Sequence, residues 1–396
     1  MALKKAVVAK ALSQAFDIPV TVTYWNGESE TYGNGHSKVH IKLNKKISLE
    51  DLAATPTLFM GEAYMNEEIE IEGSLQELIA SAYRRKGSFL TNQSGFKGTI
   101  LKALIKSNNK KESQKDVQSH YDIGNSFYKK WLDPTLTYSC AYFSKDNMSL
   151  EEAQMAKMRH ILAKLNCEPG NTLLDIGCGW GTLAFIAAQE YGLSATGVTL
   201  SEEQYEFAKH RAKALGLEEK VQILLMDYRD ITEQFDYVTS VGMFEHVGKK
   251  NLALYFQKVH HYLKPNGRAL IHGITGQSHG LGVDPFIAKY IFPGGYIPHI
   301  TEIVTHILDA NLQIDDVEPR RRHYQKTLEC WRANYLKVYD ETINEMGKPF
   351  ARMWDLYLQS CAASFEAGNI DVIQFLITRG SSGQGLPMTR CYMYED

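Results

Sequence analysis

No apolar run in the 396 residues approaches the roughly 20 that a membrane-spanning helix needs. Charge of one sign is not in excess: 43 basic and 46 acidic side chains leave a net charge of −3, so nothing global favours nucleic acid as a partner. The six cysteines (Cys140, Cys167, Cys178, Cys330, Cys361 and Cys391) include no C-x-x-C pair and no zinc spacing. That usage reads as reduced thiols in a cytosolic protein. With 30 Gly, 11 Pro and 22% charged residues, disorder, collagen and coiled coil are excluded. Internal repeats and low-complexity tracts are missing. Met1-Ala-Leu-Lys-Lys-Ala-Val-Val-Ala-Lys10 interrupts its apolar positions with lysine at helical spacing, unlike a signal peptide. His36-x-x-x-His40 has the spacing of a helical metal pair but falls in strand-like sequence, where i and i+4 do not converge; no metal site is expected. What remains is a chain long enough for two domains, soluble or touching a membrane from one side.

Residues 2–16 place Leu3, Val7, Val8, Ala11, Leu12 and Phe16 on one helical stripe. Val20, Val22 and Tyr24 alternate, Asn26-Gly27 offers a turn, and Val39, Ile41 and Leu43 alternate again, predicting strands. A further strand fits residues 68–72, and Ser74-x-x-Glu77 is a capping-box start for a helix reaching Arg84. Residues 1–105 therefore read as a small α+β domain without a catalytic motif. Between positions 84 and 115, Arg84, Arg85, Lys86, Lys97, Lys102, Lys106, Lys110, Lys111 and Lys115 face a single acid, Glu112. This stretch is either solvated or a surface for anionic headgroups, where each basic side chain contributes about 1 kcal/mol; residues 106–118 are read as the linker between the two domains.

From residue 119 onward the pattern is βαβα. Strands are predicted at 172–176, 195–200, 221–226, 235–241 and 268–274, with helices between them and a Pro265-Asn-Gly267 turn before the last. Such alternation means a mostly parallel, doubly wound α/β sheet. The first strand ends in Asp175 and runs into Gly177-x-Gly179-x-Gly181, placing backbone amides and a helix start at the carboxyl edge, where such sheets bind ligands. A dinucleotide site prefers Gly-x-Gly-x-x-Gly and an acid about 20 residues later; neither is present. Asp175 beside the turn suits a ligand carrying an ammonium group, such as the amino-acid end of S-adenosylmethionine.

Asp175-Ile-Gly-Cys-Gly-Trp-Gly181, Gly197-Val-Thr-Leu-Ser-x-x-Gln204 and Val241-Gly-Met-Phe-Glu-His-Val-Gly248 resemble the cyclopropane fatty acid synthases. So do His120-Tyr-Asp-Ile-Gly124, Leu136-Thr-Tyr-Ser-Cys-Ala-Tyr142, Lys289-Tyr-Ile-Phe-Pro293 and His323-Tyr-x-x-Thr-Leu328. The resemblance, spanning residues 117–380, implies a Rossmann-like methyltransferase domain at 119–396. It also implies transfer of a methylene from S-adenosylmethionine to the cis double bond of a phospholipid acyl chain. By the same resemblance the N-terminal domain helps capture lipid, the protein is a homodimer, and it meets the bilayer peripherally at the inner face. For the cofactor, the resemblance implies Tyr121, Tyr138 and Ser139 over the methionine end beside Gly177, Cys178 and Gly179, with Asp175 at the turn. Thr199, Leu200 and Gln204 are implied at the ribose, and Asp227 and Tyr228 at the adenine. The lesser alternative for Tyr121 and Tyr138 is plain aromatic packing.

An alkene cannot be prepared by a base as a serine is. The enzyme must align the π bond with the sulfonium methyl in a dry pocket. The carbocation left behind can lean on aromatic faces, for which Phe244, Tyr290, Phe292 and Tyr324 are candidates. A base must then take a proton from the added methyl; in the family it is understood to be bound bicarbonate. The matching cradle is Cys140, Glu245, His272, the backbone of Ile274, and Tyr324, with Glu245 expected to orient His272. Cys140 is not needed as a covalent nucleophile. Cys361 lies on a helical stripe with Trp354, Leu358 and Phe365 and reads as core, although the resemblance also carries an active role for it. Arg320-Arg-Arg322 is either solvated or in phosphate contact. Competing readings are another S-adenosylmethionine methyltransferase, acting on a lipid or small molecule, and a lipid carrier with a vestigial catalytic fold.

Overall fold

The computed structural model describes residues 12–47, 55–85, 124–279, 282–381 and 383–394, which fall into two compact units. In the first, β1 (Val20–Thr23), β2 (Ser29–Tyr32), β3 (Val39–Leu43) and β4 (Ile69–Glu72) form a sheet of order β2-β1-β3-β4. Alternation decides its faces: Val20, Val22, Val39, Ile41, Leu43 and Ile69 are buried on one side. Gly27, at φ +82, closes the β1–β2 hairpin, as the Asn-Gly signal predicts. Ser74 Oγ accepts from the Glu77 backbone N–H at 3.1 Å and starts the helix Leu75–Arg84. Patterning misses β2, none of whose residues is buried, and the helix Pro56–Met65. Of the expected N-terminal helix, residues 12–15 are described and helical. Of the basic stretch, only Arg84 and Arg85 lie among the described residues. Arg84 is paired with Asp17 at 3.0 Å and Glu366 at 3.3 Å, so it is not a free cation for headgroups.

This unit also takes residues 283–293 and 328–369, which departs from a contiguous division near residues 106–118. The reason is packing. The helix Lys348–Ala367 buries Trp354, Leu358 and Phe365 and packs along the helix Leu75–Arg84. Periodicity announces such an apolar stripe but not which core it joins.

The second unit holds a seven-stranded sheet of order β10-β11-β9-β8-β5-β6-β7. Its strands are β5 (Thr172–Ile176), β6 (Ser194–Thr199), β7 (Val221–Leu225), β8 (Phe235–Val241), β9 (Leu263–Gly276), β10 (Gln313–Pro319) and β11 (Ile370–Thr378). From β7 to β9 all pairings are parallel; β11 runs antiparallel to both β9 and β10. Helices cover both faces: Leu252–Tyr262 and Ile300–Asp309 on one, Leu150–Leu165 and Thr182–Glu190 on the other. The Pro265-Asn-Gly267 turn loops out within β9, as pairing jumps from Phe235↔Leu263 to Tyr237↔Arg268. Asn266 takes the left-handed φ of +62 there. Among the described residues no helix is long and apolar enough to cross a membrane.

Candidate active site

A cavity, partly open to solvent, lies at the carboxyl edge of β5, β6, β7 and β8, where ligands of such sheets bind. It is lined by Tyr138, Ser139, Asp175, Gly177, Cys178, Gly179, Thr199, Leu200, Gln204, Asp227 and Tyr228. Every described residue expected at the cofactor is therefore on its wall; Tyr121 lies outside the described residues. Gly177, Gly179 and Gly181 take φ of +76, +55 and +85, a region that residues with a Cβ rarely occupy. At Gly181 a Cβ would also lie 2.8 Å from the Phe185 ring. The turn is pinned by the Gly177 and Cys178 N–H groups, which both donate to the Val198 carbonyl at 3.0 Å.

Polar groups on this wall are set in advance. Thr199 Oγ1 donates to Gln204 Oε1 at 2.8 Å, leaving the Gln204 amide N–H₂ to donate elsewhere. Asp227 accepts from the Arg229 backbone and guanidinium at 2.9 Å and 2.6 Å. Tyr138 both lines the cavity and packs against Tyr128 and Trp131. Burial pushes the Asp175 carboxyl up to about 6, although a hydrogen bond from Thr239 at 2.9 Å and the nearby Lys157 pull the other way. Burial lowers the Lys157 ammonium to about 8; its Nζ donates to Ser139 Oγ at 2.8 Å.

A second constellation is built on β9 and β11. His272 is buried, and its Nδ1 meets Gln374 Nε2 at 3.1 Å. With the amide donating, the ring proton sits on Nε2, and that nitrogen is buried without a partner. Burial, then Lys157, Arg320 and Lys164, holds the ring neutral. Two residues further along β9, the Ile274 N–H donates to Glu245 Oε1 at 2.6 Å. Glu245 Oε2 is buried and unpartnered, and burial pushes this carboxyl up to about 7. Gly273 admits Phe244, whose ring occupies the place a Cβ would take. In register across the sheet, Glu318, Gln374 and His272 stand abreast. Glu318 binds Lys164 (2.5 Å), Arg320 (2.8 Å) and His160 (3.0 Å). The niche region thus offers one N–H donor at His272, which feels the charges of Lys157, Arg320 and Lys164, and one carboxyl acceptor at Glu245, the two functions that a small anion carrying a hydroxyl would use.

Residues 108–375 match the family described as mycolic acid cyclopropane synthetase. The chain belongs to this family. Residues 7–94 match a separate family described as a domain of unknown function. The Escherichia coli (strain K12) cyclopropane-fatty-acyl-phospholipid synthase is 38% identical over 352 residues, 88% of this chain and 90% of that one. The "Probable fatty acid methyltransferase" of Pseudomonas putida is 36% identical over 391 residues, covering 96% and 98%. Among solved structures, the mycolic acid cyclopropane synthase CmaA1 complexed with SAH and CTAB aligns with a TM-score of 0.64 at 34% identity, covering 67% of this chain and 98% of that one.

For this cyclopropane synthetase family member, several expected roles change. His272 is held by Gln374, not by Glu245, whose bonded oxygen takes the Ile274 N–H. Cys140 donates towards the Ala141 and Arg320 carbonyls (3.3 and 3.9 Å), and burial pushes its thiol up to about 12, so it stays protonated. Tyr324 continues from the Arg320 carbonyl, which its N–H reaches at 3.1 Å, and remains partly exposed. Cys361 stands in the first unit with Tyr83 and Asp284 as neighbours, and burial raises its thiol to about 12. Tyr290 and Phe292 also belong to that unit, where Tyr290 donates to Glu62 at 2.8 Å and Phe292 packs on Tyr357. Arg320 is buried, 3.9 Å from the Tyr142 ring centre and paired with Glu318, so the first arginine of that cluster is neither solvated nor available to phosphate. Gln374 and Lys157 were missed. Their signal is a polar residue inside a buried strand and a lysine on the apolar stripe of the helix Leu150–Leu165.

Proposed function

We propose that this chain transfers a methylene carbon from S-adenosylmethionine to the cis double bond of an unsaturated phospholipid acyl chain, closing a cyclopropane ring. The observation that carries this reading is two buried polar atoms of opposite hydrogen-bonding sense left unpartnered, His272 Nε2 on β9 and Glu245 Oε2 on the short helix Phe244–Val247, whose other oxygen is bonded to the β9 backbone at Ile274. A methyltransferase acting on nitrogen or oxygen has no use for such a pair. The match to a phospholipid-acting synthase over 88% of the chain supports the lipid substrate.

The cavity suits the cofactor by the chemistry of its wall: Asp175 for an ammonium, Gln204 for a ribose hydroxyl, the glycine turn for close approach. Bound there, S-adenosylmethionine supplies an electrophilic methyl; bicarbonate in the niche supplies a base that cannot itself be alkylated into a dead enzyme. With both bound, the alkene π pair would take the methyl as the C–S pair returned to sulfur, and loss of one methyl proton to the base would free the C–H pair for ring closure. In this scheme His272 donates its Nε2–H to the base, and Glu245 accepts from its hydroxyl. Gln374 fixes the His272 tautomer, while the buried Phe244 ring excludes water and faces developing positive charge. Peripheral binding to the membrane face and a homodimeric assembly, as the resemblance implies, complete the reading.

Protein, S-adenosylmethionine and unsaturated phospholipid vesicles should give acyl chains heavier by one CH₂ in mass spectrometry, and saturated vesicles none. Stripping carbon dioxide from the buffer should slow the reaction; an unchanged rate would leave the niche to a water molecule. A product methylated at nitrogen or oxygen would replace this reading altogether.

A further inference from the structure

Lys157 is only 1% exposed, yet it lies on the wall of the cavity. Among the described residues its ammonium makes a single hydrogen bond, to Ser139 Oγ at 2.8 Å, and no ion pair. The two acids that face it are occupied by other donors. Asp133 is bound by the Thr135 hydroxyl and by the Thr135 and Thr137 backbone N–H groups at 2.9 and 3.4 Å. Asp175 accepts from Thr239 at 2.9 Å. Cys140, the third titratable neighbour, is a protonated thiol. A buried ammonium with two of its three protons uncommitted is costly to keep. Lys157 is kept at the end of the cavity where Asp175 and the glycine turn also stand.

Opposite charges at one end of a cavity are complementary to a zwitterion. We propose that Lys157 binds the α-carboxylate of the methionine end of S-adenosylmethionine, with Ser139 as its relay and Asp175 facing the α-ammonium. The assignment rests on the reading that this cavity takes S-adenosylmethionine. It makes Lys157 a cofactor-binding residue that no glycine-turn motif announces. Of the other polar side chains buried on the same helix, His160 and Lys164 pair with Glu318 and Gln154 donates to the Thr137 and Ser139 carbonyls, whereas the Lys157 charge has no acid bonded to it among the described residues. The cation that lies closest in influence to His272 is this same Lys157, so the bound carboxylate would partly neutralise the field at the niche as the cofactor enters.

The test is calorimetric and needs no turnover. S-adenosylhomocysteine is compared with its decarboxylated analogue, which keeps the amine and the adenosine thioether but lacks the carboxylate. Wild-type protein should prefer S-adenosylhomocysteine by about ten- to a hundred-fold, the range for a charge-assisted hydrogen bond. Lys157→Met should lose that preference while binding the analogue as wild type does. The preference should also shrink in wild-type protein above pH 8, where the free ammonium loses its proton; the amine, common to both ligands, cancels from the ratio. That second measurement keeps the test open should the variant fail to fold. Equal binding of S-adenosylhomocysteine by variant and wild type would overturn the assignment, as would equal weakening of both ligands. If wild type binds neither ligand, the cofactor reading itself fails and takes the assignment with it.

Discussion

Along β5 and β6 the large sheet ends in glycines, hydroxyls and an amide that line a cavity open to solvent, whereas on β9 and β11 it carries a histidine and a glutamine sealed from water, with Glu245 held against β9. Both regions hold polar groups with unused hydrogen-bonding capacity, but they bear that cost differently. In the cavity, water can satisfy those groups whenever a ligand leaves. At the niche, each unpartnered buried atom costs about 1–3 kcal/mol, and the fold must carry that cost. That difference suits the first region to a molecule that exchanges with solvent, and the second to the small anion of the proposed scheme.

The sharpest way to separate the two is Glu245→Gln, which removes the acceptor at the niche and leaves the cavity wall intact. Methylene transfer should fall by about 10²–10⁴-fold, with S-adenosylhomocysteine affinity by calorimetry within a factor of three of wild type. A parallel loss of binding would mean that the two regions are one. Gln374→Leu should cost about 10–100-fold in kcat, in line with other residues that orient a functional histidine. ¹⁵N NMR should show the His272 proton no longer confined to Nε2; an unchanged tautomer would remove Gln374 from the scheme.

The cavity has its own pH signature. Asp175 ionises near 6, so S-adenosylhomocysteine affinity should drop about tenfold per unit below that pH, and Asp175→Asn should be weak but flat across the same range. The smallest effect concerns the fold alone. The Lys157 pKa in the folded state, about 8, lies below its ordinary 10.5, so its charged form is disfavoured on folding. That cost is complete below pH 8 and fades as pH climbs to 10.5, where the unfolded chain also loses the proton. Lys157→Met should therefore stabilise the ligand-free protein by about 1–3 kcal/mol at pH 7, read as a higher Tm, with the gain gone near pH 10.5.

The cavity was legible because its signals are local. Asp175 to Gly181 is one contiguous turn whose backbone demands glycine, and Ser201 capping its helix places Gln204 beside Thr199 within five residues. The niche was only half legible. Glu245 stands out as an acid just past a strand end and His272 as a polar residue inside a buried strand, but the partner of His272 lies 102 residues away on an antiparallel strand. Register between distant strands is a property of the folded sheet, not of either segment. Arg320 shows a misreading that strand geometry could have prevented. Glu318 and Arg320 stand two apart at the end of β10, and residues at i and i+2 share a face, so their mutual ion pair was available to patterning. Membership of the first unit was harder, because the stripe on Lys348–Ala367 says only that it must be buried.

The place of β11 has a consequence for synthesis of the protein. It is the last strand in chain order, yet it sits inside the sheet, hydrogen-bonded to β9 on one side and β10 on the other. A nascent chain emerging from the ribosome exposes the unpaired edges of β9, with its apolar run Ala269–Ile271, and of the more polar β10 until residue 378 has cleared the exit tunnel. Those edges invite pairing with other chains in the meantime, so translation pauses before that point, or truncations short of it, should favour aggregation over a partly working enzyme.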